Sequence, residues 1–264
     1  TVNLGPPTDE RPFFFYDVPW SALGSTLSDQ PKLRNEQQGL ATLAAVALAG
    51  LVFALLLLVV PLLLRPREIL LASGRAARLR ALGFFAGVGA GFMLVELALV
   101  QIFTSFLGHP VYALTVVLTV LFLSVGAGSF LAGRVAPALA SLVAARRAQV
   151  LTIMLVLAGL GLMRATSLFD ALPFAGRVAL VAITVFPLGL LMGAQIPLGV
   201  IVAASRSRAL VAWALAMNGV AGVVCLAVGT LLAMHIGFSF LLLAGAVADW
   251  VASLWLPPVV AGAG

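Results

Sequence analysis

The sequence predicts an all-α integral membrane protein: a polytopic bundle of about seven transmembrane helices with a short extramembrane N-terminal segment. Three observations predict it. The 264 residues are 62% hydrophobic and 9% charged, where soluble domains run near about 45–50% and about 25%. Nine acidic and fifteen basic side chains cannot clothe the water-facing surface of a soluble fold this long. Apolar runs near the roughly 20 residues that cross a bilayer recur along the chain, and the basic residues gather between alternate runs. The same composition excludes a disordered chain. The single cysteine, Cys225, excludes a disulfide framework or a Cys-based zinc site.

Residues 1–38 form the extramembrane segment. It carries Pro6, Pro7, Asp9, Glu10, Arg11, Pro12 and Asp17, with the aromatic cluster Phe13-Phe14-Phe15-Tyr16 and Trp20. The aromatics fit a membrane interface; they fit equally a strand or loop of a soluble domain lying upstream. The chain begins at Thr1 without a basic-then-apolar leader, which reads as the tail of an upstream domain. The transmembrane region, 39–256, divides into runs 39–64, 81–106, 111–133, 149–163, 178–203, 209–234 and 238–256. Residues 257–264 are a short tail.

The connections account for the net charge of +6. Arg65, Arg67, Arg75, Arg78 and Arg80 follow the first run, Arg134, Arg146 and Arg147 the third, and Arg206 and Arg208 the fifth. Only Arg164 and Arg177 occupy the intervening connections. Seven alternating helices put the first ten on one side, and the positive-inside rule makes that side cytoplasmic. Loops 65–80, 134–148 and 204–208 are then cytoplasmic, the N-terminal segment faces outward and the C-terminus inward. The Arg-rich, Ala-, Leu-, Val- and Gly-rich composition suits a GC-rich bacterial gene, hence a bacterial inner membrane. The basic residues are dispersed and no recognition motif accompanies them, so nucleic acid is excluded as a partner. The lipid bilayer is the expected one, with some contact to anionic lipid.

Polar residues inside the runs are the candidate sites. Glu96 reads as the only deeply placed acid, and such groups face the bundle interior or a cavity. It suits a proton or cation site, or a hydrogen-bonded acid that locks packing. Gly83, Gly87 and Gly91 recur at i, i+4, with Gln101 near that stripe and Glu96 nearly opposite beside Gly89 and Phe92. Both flanks of this helix should therefore be covered by protein, placing it centrally. Ala214, Asn218, Gly222, Cys225 and Gly229 make a second small-residue face whose amide can bond across helices. Pro187 and Pro197, near Gly189, Gly193, Gln195 and Gly199, invite a broken helix, tolerated where it lines a cavity or is buried in protein. His109 and His235 read as interfacial turn histidines; paired histidines also bind metals, yet no third ligand has suitable spacing. Asp249, flanked by Trp250 and Trp255, is expected at headgroup level.

No catalytic, cofactor-binding or metal-ligating set is recognisable: there are no paired carboxylates and no Ser/His/Asp arrangement. Gly87-Val88-Gly89-Ala90-Gly91 has the look of a nucleotide loop fragment but sits inside an apolar run with no preceding strand.

Several segments together resemble bacterial membrane-embedded spermidine synthase-like proteins. Pro7-Thr8-Asp9-Glu10-Arg11-Pro12-Phe13-Phe14 is similar to the segment closing that family's catalytic-like domain, although members often have a second Asp where Glu10 stands. Gly91-Phe92-Met93-Leu94-Val95-Glu96, Gln101, Leu107-Gly108-His109-Pro110 and Tyr112-Ala113-Leu114 are similar to the helix pair that follows it. Gly126-Ala127-Gly128-Ser129 and Gly133-Arg134 match the next helix end. Gly193-Ala194-Gln195-Ile196-Pro197-Leu198-Gly199 and Trp213-Ala214-Leu215-Ala216-Met217-Asn218-Gly219 match later helices. The resemblance spans about residues 5–240, and the block from Glu96 to Pro110 is its most specific part.

The resemblance implies an upstream Rossmann-like domain of the aminopropyltransferase or methyltransferase kind. An S-adenosyl-type donor would bind only there, because this chain lacks that domain's glycine-rich loop and acids. Glu96, Gln101, His109, Gln195 and Asn218 become motif positions of the membrane half. The chain is then expected to be a membrane anchor, with a small-molecule or lipid site in the bundle as an option. Two other readings stay open. One is a transporter-like bundle for a small solute or proton using Glu96; the stretch 126–134 has a slight likeness to the loop signature of major facilitator carriers. The other is an accessory membrane subunit of a larger complex.

Overall fold

A computed structural model describes residues 45–46, 48–56, 60, 74–139, 161, 169 and 171–256. The described residues are helical, without strands. Among the described residues, five helices are long and apolar enough to cross a membrane. They are α1 (Arg75–Leu107), α2 (Pro110–Leu139), α3 (Phe174–Ala204), α4 (Arg208–Ile236) and α5 (Phe238–Trp255). They lie where five of the seven expected runs fall. Of the first run, residues 45–46, 48–56 and 60 are helical. The rest of that run, and the fourth run apart from Gly161, lie outside the described residues, as do 1–38 and 257–264.

Helix ends follow local chemistry. Gly108, at φ 78°, closes α1 by donating its N–H to Thr104 O at 3.0 Å, a left-handed cap that glycine takes without strain. Pro110 then opens α2, where its missing N–H costs nothing, and His109 Nδ1 accepts the Val111 N–H at 3.2 Å. Ser207 caps α4 by accepting the Ala209 N–H at 3.2 Å. Gly237, at φ 85°, makes the reversal from α4 to α5.

α1 is the central helix. It packs most extensively on α5 and α4 and also touches α2 and α3. The expectation that both of its flanks are covered holds, and glycine is the reason. Gly83 lies against Trp255, Gly87 against Ala252, and Gly91 against Gly245 and Asp249, so this stripe takes α5 antiparallel. On the other flank Gly89 abuts Asn218, Gly222 meets Met93, and Gly229 meets Leu94 and Leu97, so α4 runs parallel to α1.

The second close unit is α2 with α3. Gly128 rests on the Leu190 backbone, Gly189 on Ser124, and Gly193 on Val125. The contact order along the two helices makes them parallel. Tyr112 and Phe174 near their N-termini pack ring against tilted ring with centroids 5.1 Å apart, and Arg177 Nη1 donates to Phe106 O at 3.1 Å. α2 is thus left at one face of the bundle and α3 entered at the other.

These directions fix the charge distribution. Arg75, Arg78, Arg80, Arg134, Arg206 and Arg208 share one end of the bundle, while Arg177 is at the opposite end with His109. One apolar cluster, around Phe84, Phe85, Val202, Leu210 and Leu256, fills the arginine-rich end. A larger one, from Val95 to Leu107 with Leu121, Val185, Met192 and Leu241, fills the middle and far end. Large apolar side chains such as Phe122, Leu123, Ile183 and Phe240 face outward, as lipid-facing surfaces do.

Candidate functional site

The polar centre of the bundle joins two helices that barely touch otherwise. Gln195 on α3 donates through Nε2 to Asp249 Oδ2 on α5 at 2.5 Å. Both are buried, at 5% and 1% exposure. Gln195 Oε1 is also buried and has no hydrogen-bond partner among the described residues. Asp249 lies against Gly91 of α1, where a Cβ would sit 3.0 Å from the Asp249 Cβ. Gly91 is about 16 Å beyond Arg80 at roughly 1.5 Å per residue, and Gln195 is about as far from Arg206. With a hydrocarbon core of about 30 Å, the pair lies near mid-depth. Asp249 is therefore not at headgroup level, and Glu96 is not the only deep acid. The two tryptophans suggested an interfacial position. The 3.6-residue register of Leu242, Gly245, Asp249 and Ala252, all buried, was the signal that places Asp249 on the packed face.

α3 is not broken. It runs continuously through Pro187 and Pro197. A proline leaves the carbonyl four residues earlier without its helical donor, which for Pro197 is Gly193. Ser129 of α2 supplies the substitute, donating Oγ–H to Gly193 O at 2.7 Å. The absence of Cβ at Gly193 lets α2 approach closely enough for this bond. The orphan carbonyl follows from spacing alone; its donor, on another helix, does not. The stretch 126–134 is likewise continuous helix, with Gly128 packed on α3, and is not a carrier-type loop.

Ser129→Ala is expected to destabilise the protein by about 1–2 kcal/mol, since a buried acceptor loses its donor. Pro197→Ala restores the missing N–H, so Ser129→Ala should cost clearly less in that background. Thermal unfolding of the four variants in mild detergent measures the difference; equal costs would show that the hydroxyl does not serve the proline gap.

Asn218 holds the α1–α4 crossing, donating Nδ2 to Phe85 O at 3.0 Å. Glu96 is half-buried, and its Oε2 is buried without a hydrogen-bond partner among the described residues. One heptad separates it from Gly89, so it shares the α4 flank and lies between Gly222 and Gly229 along that helix. It is on a different side of α1 from Asp249. Gln101 is half-buried on α1. His109 is exposed, capping α2 and tilted against Tyr112 at 5.3 Å. His235 belongs to the last turn of α4 rather than to a connection, and its side chain lies outside the described residues. The candidate residues thus divide between two interfaces of α1 and one bundle end.

Among the described residues no group of three His, Cys, Asp or Glu side chains could hold a metal ion. What the arrangement offers is intramembrane hydrogen bonding and oxygen ligation. No family model, curated protein or solved structure matches the chain.

Proposed function

We propose that this chain is the membrane-embedded bundle that anchors an adjacent spermidine synthase-like domain and carries no catalytic centre of its own. The observation that supports this best is the use made of the motif positions. Gln195 and Asn218 each tie one helix to another, and the glycines beside them let the backbones meet. Such residues hold a bundle in shape. The S-adenosyl-type donor and the transferase chemistry belong to the adjacent Rossmann-like domain. The isolated chain is expected to stay in the membrane through alkaline carbonate extraction and to transfer neither aminopropyl nor methyl groups from such donors. Transfer by this chain alone would overturn the reading.

The proposed topology has seven spans in a bacterial inner membrane, with loops 65–80, 134–148 and 204–208 cytoplasmic. Among the described residues, six arginines at one end against one at the other support the orientation. The opposite faces at which α2 is left and α3 entered support a seven-span path. In a Cys225→Ala background, a cysteine at Ala76 should react with membrane-impermeant maleimide only after the cells are opened. A cysteine at Tyr112 should react in intact cells. The reverse pattern would invert the topology.

The second reading, a transporter-like bundle for a small solute or proton, is favoured by Glu96 and its unpartnered Oε2. Uptake into proteoliposomes that Glu96→Gln abolishes would favour it over anchoring alone.

A further inference from the structure

One side of α4 is buried at one end of the bundle and bare at the other. Leu210 and Ala214 are 2% and 0% exposed and share an apolar cluster with Val202 and Ala203 of α3. Eighteen residues make about five turns, so Val228 and Leu232 repeat those two directions further along α4. They are 47% and 45% exposed. Among the described residues, the cluster at that end takes only Ala233 from α4. α3 and α4 therefore meet at the arginine-rich end and part toward the His109 end, leaving a cleft between them.

α1 floors that cleft. The Phe85 ring packs on Gly199 of α3, and Gly89 meets Asn218 of α4. Glu96 comes eleven residues after Phe85 and seven after Gly89, so at about 100° per residue its direction falls between the two. Phe85 is buried, where α3 and α4 are together; Glu96 is half-buried, where they are apart. At roughly 1.5 Å per residue Glu96 is about 24 Å along α1 from Arg80 and about 18 Å from Gly108, deep in the apolar slab. Its Oε2 is buried, with no hydrogen-bond partner among the described residues.

An ionised acid in that setting is a lone charge in apolar surroundings, which membrane helices keep only beside a partner or water. Taking up a proton removes the charge. Among the described residues, the titratable side chains of the packed helices between the two bundle ends are Cys225 and Asp249. Cys225 is at the level of Glu96 on α4, and Asp249 is on another side of α1. α3 carries only Arg177, at the His109 end, and α2 has Tyr112 and Arg134 near its two ends. A proton is the one ligand a single carboxyl takes without further donors around it.

We propose that Glu96 is a proton-binding carboxyl at the floor of a cleft between α3 and α4, shut at the arginine-rich end and open toward the His109 end. The site deepens the transporter-like reading, on which it rests for its purpose, by naming the proton as the ligand.

The test uses the full chain with Cys225→Ala in lipid nanodiscs, and dicyclohexylcarbodiimide as the probe. This apolar reagent reacts with protonated carboxyls. The acid proton passes to one nitrogen, the carboxyl oxygen bonds the central carbon, and an acyl shift from that oxygen to the second nitrogen leaves a stable N-acylurea with nothing released. Mass spectrometry should find one adduct per chain, on Glu96, at a rate that falls with rising pH along a single-proton curve. Glu96→Gln should abolish it. Val228→Trp, which narrows the cleft from an exposed position, should slow it about tenfold or more. Phe240→Trp, at an exposed position of α5 on the far side of α1, should not. Absence of an adduct on Glu96 overturns the proposal. So does a rate that ignores pH, or equal rates in Val228→Trp and Phe240→Trp. The transporter-like reading fails on a different result: no uptake into proteoliposomes by a chain that still labels at Glu96 in this pH-dependent way.

Discussion

Gly193→Leu is expected to disassemble the α2–α3 pair, with a loss of about 3 kcal/mol or more and aggregation on size-exclusion in mild detergent. Even a Cβ at Gly193 would come within 2.7 Å of Val125 Cα, and one at Gly128 within 3.0 Å of Leu190 Cα. These neighbours are backbone atoms, which cannot rotate aside as a side-chain tip can, so the helices must separate. Overpacking of a tight interior typically costs about 1–3 kcal/mol. Here the separation also breaks the Ser129–Gly193 bond. Gly126→Ala and Gly133→Ala are the internal controls, since a Cβ at either position meets open space. Both should unfold within a degree or two of the parent protein. Equal damage from Gly126→Ala and Gly193→Ala would show that helix propensity, not interlocking, sets the stability.

The second large effect is expected at the buried pair. Gln195→Leu removes the amide donor from Asp249, and Asp249→Leu leaves the amide nitrogen of Gln195 unbonded. Bonds to charged groups contribute about 1.5–3 kcal/mol, and an orphaned buried partner adds its own desolvation cost. Each single variant should therefore lose about 2–3 kcal/mol of stability. The double variant should lose less than the two losses added together, because neither polar group is then left behind. A double-mutant cycle of unfolding free energies in detergent measures the coupling. A coupling indistinguishable from zero would mean that the bond does not contribute to holding the two units together.

The positions of five helices were legible because bilayer thickness imposes a length on apolar runs and arginine punctuates them. The central place of α1 was legible too. Gly83, Gly87 and Gly91 against Gly89 and Glu96 put small residues on two flanks, and helical periodicity alone says that both must meet something. What the periodicity did not reveal was the partner on each flank. That depends on helix direction and order, which no local pattern encodes. Asp249 was misplaced for a related reason. The adjacent tryptophan, Trp250, marks an interface on one side of α5, but a helix turns 100° per residue. The neighbouring acid faces another environment altogether. Pro187 and Pro197 looked like breaks because proline's missing N–H is a local fact, whereas Ser129 lies 64 residues from the carbonyl it serves.

The clasp of α4 and α5 around α1 has a consequence for biogenesis. α1 is made before α2 and α3, and both helices that cover its glycine flanks follow those two. During synthesis it must wait in lipid with two grooved, poorly covered sides. Membrane helices tolerate that interval because their backbone bonds are satisfied before they associate. A ribosome that stalls before Arg208 leaves those grooves permanently bare. Quality-control proteases that survey the bilayer should clear such a product much faster than the finished chain.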